Sequence, residues 1–199
     1  MLYMEDYSPV DALLLDQSIY ENFASEVRYI IRAEQVGSIS LLGGGIVVGD
    51  YGKFPSGIHL LKSMPADVAT VRMAIGRKDN GDQRILFVEI RIEGAQPVTL
   101  DMWRTVDGES LGVFITSAAF LNNREMADPQ GVVEMVDQRL NANQKGSCSW
   151  ATIGTTAAIQ MLVVDSGFGT GGKAILRGCD DSGATCSVVI DFGGVFEVY

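Results

Sequence analysis

Two hydrophobic periods divide this chain. Between Asp16 and Arg32 the apolar residues Ile19, Phe23, Val27, Ile30 and Ile31 recur at the spacing of one helical face. Asp16 or Ser18 can cap the start of that helix. From Ser38 onward the pattern shortens. The runs Ile39–Leu42, Gly45–Gly49, Ile58–Leu61 and Val68–Ile75 are β-branched or aliphatic and are bounded by glycine, proline and aspartate, as strands are. Asp79-Asn80-Gly81-Asp82 then separates Val68–Arg77 from Arg84–Ile92. Asn-Gly supplies the positive φ angles of a tight turn, so this segment predicts a hairpin.

Val98–Met102 and Gly112–Thr116 read as further strands. Asp128 and Pro129 suit the cap and first turn of a helix that runs to Leu140, with Val132, Val133, Val136 and Leu140 on one face. Asn141–Ser147 reads as a polar loop. The last third returns to strand over Ile159–Val164, Lys173–Cys179 and Thr185–Phe192, with Asp181-Ser182-Gly183 as a turn. The pattern predicts an α+β fold: a mainly antiparallel β-sheet with an N-terminal helix and one later helix. It forms a single domain over residues 1–199, in which 1–35 is an acidic helical segment and 38–199 a mainly-β body. No β-α-β order recurs that would demand a parallel sheet.

Composition narrows the function. The net charge of −10 is uneven: residues 1–35 hold seven acids against Arg28 and Arg32, a net of −5. An acidic surface without a basic stripe repels phosphate backbones, which argues against nucleic acid and anionic membranes. A basic protein partner would instead be steered toward it, although plain solubility accounts for the same charge. The N-terminus has no basic stretch of the kind that opens a signal peptide, and Ala151–Val164 is too short and polar to span a bilayer. Three cysteines with no Cys-x-x-Cys make no secreted disulfide framework, so the cytoplasm is the expected compartment.

Few motifs carry chemistry. Gly167 to Lys173 satisfies the Gly-x-x-x-x-Gly-Lys part of a phosphate loop, but Ala174 stands where a Ser or Thr must hold magnesium. The residues that follow read as strand, whereas the phosphate needs a helix N-terminus. Gly43-Gly44-Gly45 has no helix after it and reads as a strand connection. His59, the single histidine, sits in an apolar strand, which leaves neither a multi-histidine metal site nor a histidine base. No cofactor or metal is expected. Cys179 and Cys186 flank a turn and are expected as free thiols, and Cys148 has no neighbour to activate it. The remaining candidates are strand-end groups: Asp50, Asp101, Asp165 and Asp191, with Ser166 as an auxiliary hydroxyl. Paired acids at strand ends can run hydrolysis, but aspartate there is also ordinary turn chemistry.

The runs Val164–Gly171, Gly178–Gly183 and Val188–Gly193 together resemble the bacterial domain-of-unknown-function family 4241. That family's pattern ends in Ser-Gly-x-Gly-Asp-Gly, a hairpin and a closing Asp-Phe. Gly45–Asp50, the Pro55-Ser56-Gly57 turn and Gly112–Ile115 are compatible with it. Thr170 replaces the family's aspartate, and Lys173-Ala174-Ile175 replaces its Tyr-Pro-Val. The resemblance implies a fold rather than an activity.

Three functions follow as expectations. The first is a non-catalytic protein-binding module, an immunity-type protein of a bacterial cell with a basic partner. The second is a hydrolase using Asp50, Asp165 and Asp191 with Ser166. The third is a structural subunit of a homo-oligomer.

Overall fold

A computed structural model describes residues 9–14, 19–22, 27–41, 45–54, 58–62, 64, 66–108, 112–117, 120, 129–156 and 158–196. Twelve strands form one continuous sheet. They are β1 (Ile19–Asn22), β2 (Val27–Ser40), β3 (Gly45–Asp50), β4 (Ile58–Lys62), β5 (Val68–Arg77) and β6 (Gln83–Ile92). The others are β7 (Thr99–Gly108), β8 (Gly112–Ser117), β9 (Ser149–Thr155), β10 (Ala158–Asp165), β11 (Gly171–Cys179) and β12 (Thr185–Asp191). A five-residue helical turn, α1 (Pro9–Leu13), precedes them, and α2 (Pro129–Ala142) is the one long helix among the described residues.

The strand order is β4-β3-β8-β10-β2-β5-β6-β12-β11-β7, with β1 on β2 and β9 on β10. All ladders are antiparallel except the contact of β10 with β2, a single parallel pair at Ile159 and Ile39. Alternate residues from both halves of the sheet enter one core: Ile46 and Val48, Val113 and Ile115, Leu162 and Val164 meet Met73, Ile75, Val88, Ile90, Val188 and Ile190. The sheet therefore folds over on itself, with a shared apolar interior. Each fully buried aliphatic side chain contributes about 1.5–3 kcal/mol.

The two outer faces are covered separately. Val47, Phe114, Met161 and Val163 lie beneath Val136 of α2, while Ala74, Phe87, Leu176 and Val189 pack with Val10 of α1 and with Phe196.

The expected α+β architecture with an N-terminal helix is overturned: the protein is predominantly strand in one mixed sheet. Residues 19–22 and 27–30 form an antiparallel pair, with Ile19 opposite Ile30 and Tyr20 opposite Tyr29. Ile19, the first anchor of the predicted helical face, is half exposed. Tyr29 and Ile31 are buried while Arg28 and Arg32 are exposed. That alternation belongs to a strand rich in β-branched and aromatic residues. The proposed caps Asp16 and Ser18 lie outside the described residues. β2 runs unbroken through the expected boundary near residue 36. The later helix and the Asn-Gly hairpin are both present. Gly81 has φ +85° and Lys78 N–H donates to the Asp82 carbonyl at 2.9 Å.

Among the described residues no helix is long and apolar enough to cross a membrane.

Candidate functional site

At strand ends the chain must reverse, and its freed amides need acceptors. The candidate acids supply them. Asp50 Oδ1 accepts from Gly52 N–H at 2.9 Å, and Asp165 Oδ1 accepts from Gly167 N–H at 3.0 Å. Ser166 Oγ accepts from Phe168 N–H at 3.3 Å. Asp191 is the most engaged: its oxygens take the N–H groups of Gly193, Val195 and Phe196 at 3.0–3.1 Å. Burial pushes the Asp191 carboxyl above the ordinary range, and these amides oppose that rise. Asp101 is different: it lies exposed on β7 with Arg177 at 3.6 Å.

The structure brings Asp50 and Asp165 toward one group and leaves Asp191 apart. Asp50 pairs with Val113 and Asp165 with Gly112, so the two acids flank the start of β8. Both charges act on Lys173, which is buried on β11. Its Nζ donates to the Gly169 carbonyl at 2.8 Å. Burial lowers the Lys173 pKa, and Asp165 and then Asp50 pull it back up. Asp191 sits opposite Ala174, so alternation places it on the sheet face away from Lys173.

The glycine run leads into a strand, with its lysine folded back on its own loop, and no helix follows. Gly43 and Gly44 lie outside the described residues, and Gly45 opens β3. His59 pairs with Val48, but its side chain lies outside the described set. Among the described residues no group of three or more metal-binding side chains gathers.

The cysteines are all buried and free. Burial, with Asp165 and Asp82 adding to it, pushes the Cys148 thiol up to about 11, so it is protonated and inert near neutrality. Cys148 and Asp165 line a small polar pocket of about 250 Å³ at the C-terminal end of α2, beside Asp137. The Tyr51 hydroxyl braces this region, 3.0 Å from Asp137 Oδ1 and 3.1 Å from the Val133 carbonyl.

Two features escaped the sequence reading. The first is an ion cluster on the outer face of β5 and β6. Glu89, fully buried, meets Arg72 and Arg91, and Asp11 of α1 bridges both arginines at 2.9 and 2.8 Å. The signal was present: the Asn-Gly hairpin sets a register in which Arg72 opposes Glu89. The second is the full length of β7. It ends the strand order, and among the described residues no strand pairs with its outer edge. Val98 and Met102, at 56% and 47% exposure, lie at its start.

Compared with known proteins, the chain matches no family model, no curated protein and no solved structure. The family resemblance of its C-terminal third thus stands on the quoted residues alone.

Proposed function

We propose that this chain is a non-catalytic protein-binding module of the immunity type, acting in the cytoplasm and docking a basic partner along the edge strand β7. The observation that carries this reading is the ten-residue β7, whose outer edge has no strand partner among the described residues. Such an edge offers a row of backbone donors and acceptors to an incoming strand. Val98 and Met102 add apolar area beside it. The net charge of −10 speeds encounter with a basic protein. Free, buried cysteines agree with a reducing compartment.

The test is co-purification of the tagged chain from its native cells, at low and high salt, beside a Val98→Lys/Met102→Lys variant. A basic protein recovered in stoichiometric amount with the parent chain, and lost from the variant and at high salt, supports the reading. Elution of the chain alone at 21.4 kDa overturns it. A mass that is a multiple of this, with no second protein, makes the chain a homo-oligomer subunit instead.

One observation favours a second reading, a hydrolase: Asp50 and Asp165 both act on the buried Lys173. Under that reading, hydrolysis of chromogenic phosphate or ester substrates disappears in Asp165→Asn. Activity retained by that variant disposes of the idea.

A further inference from the structure

β10 changes partners along its length. It touches β2 only at Ile159; from Met161 to Asp165 that edge is taken by β8, while β9 lines the other edge from Ala158 onward. The N-terminal half of β2 pairs with β5 and, over residues 27–30, with β1, and none of it pairs with β10. A cleft of about 530 Å³, within the range of small-molecule sites, lies beside that half of β2, walled by β2, β5, the start of β6 and Lys145.

The register explains its chemistry. Ile30 opposes Arg77, Arg77 opposes Gln83, and Arg32 opposes Ile75. Direct cross-strand partners share a face, so these side chains form one surface. That surface is continuous with the main core through Ile75.

A third cation arrives from the turn after α2. Lys145 lies 4.8 Å from the centre of the Trp150 ring. The turn is fixed against β6: Ser147 N–H donates to Asp82 Oδ1 at 3.0 Å, and a side chain at Gly146 would meet Gln83 N at 2.8 Å. Arg32 is matched by Glu34 at 2.6 Å. Arg77 and Lys145 have no carboxylate partner among the described residues, although acids outnumber bases 25 to 15 in the chain. Two unmatched cations over an isoleucine floor suit a ligand with a charged head and an apolar body.

We propose that this cleft binds a small organic oxyanion, its carboxylate or phosphate head between Arg77 and Lys145 and its aliphatic or aromatic body against Ile30 and Ile75. The site is independent of the β7 edge.

The test is calorimetric titration of the full chain with octanoate and with octyl phosphate, both below their micellar concentrations. Octanol and inorganic phosphate serve as the uncharged and headgroup-only comparisons. Saturable binding of at least one amphiphile is expected, with a change in Trp150 emission. Arg77→Gln and Lys145→Gln should each weaken it at least about fivefold. Both residues are exposed, so their thermal midpoints report whether folding is intact. Failure of both amphiphiles to bind overturns the proposal. So does binding that the Arg77→Gln/Lys145→Gln variant retains, or equal binding of octanol. If inorganic phosphate binds as tightly as octyl phosphate, the apolar half of the assignment is wrong.

Discussion

Glu89 is a charge that the fold cannot leave alone. It is fully buried, and its oxygens take hydrogen bonds from Arg72 Nε at 3.0 Å and Arg91 Nε at 2.7 Å. Replacing a buried ion cluster wholesale with apolar residues can be neutral, but removing one member strands the others. Glu89→Ala should therefore cost about 3–5 kcal/mol in urea unfolding. Asp11→Ala should cost less, because its arginines keep Glu89. Ser187 presents the reverse case. Its Oγ is buried with no hydrogen-bond partner among the described residues, and Gly178 lies directly opposite. Ser187→Ala removes an unsatisfied hydroxyl, so stability should hold or rise by up to about 1 kcal/mol. Gly178→Ala should instead destabilise, since its Cβ would lie 2.1 Å from Ser187 Oγ and 2.9 Å from Pro97 Cβ. A chemical denaturation series of the two variants checks both signs.

The β5–β6 hairpin and the turn before β9 are joined through Asp82. Burial alone would raise its pKa, but Ser147 N–H, Arg84 and Lys78 outweigh that and hold it at about 2, below the ordinary 3.8. The folded value lies below the unfolded one, so the carboxylate's contribution is complete above about pH 4. It fades as pH falls through about 2. Asp82→Asn should thus be less stable than the parent at pH 7, by about 1–2 kcal/mol, and the gap should close near pH 2. Gly146→Ala should loosen the same joint, because the turn needs φ +62° and has no room for a methyl against Gln83 N. Amide exchange of Ser147 reads this directly.

The hairpin itself was legible, since Asn80-Gly81 between alternating runs admits few other structures. So was α2, which starts at Pro129 and packs Val132, Val136 and Leu140 on the sheet; the expected cap Asp128 lies outside the described residues. The pair β1 and β2 was not legible. Arg28 and Arg32, and Ile19, Phe23 and Val27, fit a helical spacing as well as a strand, and long-range pairing with β5 decided the outcome. β9 was hidden in a mixed stretch whose burial comes from lying beside β10 beneath α2. Of the site, the strand-end position of Asp50, Asp165 and Asp191 could be read, because each sits where a run breaks into glycine; Asp101, expected at a strand end, lies within β7 instead. The meeting of Asp50 and Asp165 at Lys173 could not, since it depends on β11 coming from a distant part of the chain.

Across the whole molecule, sequence neighbours are often not spatial neighbours. β6 and β7 follow one another in the chain, yet β12 and β11 lie between them. Deleting residues 171–191 should leave both flanking strands without their ladders and abolish cooperative thermal unfolding, as followed by calorimetry. The insertion also sets a timetable. This half of the sheet cannot close until the β11–β12 hairpin, which follows both strands in the chain, has been inserted between β6 and β7. Refolding is then expected to be slow, because these ladders join strands far apart in the chain.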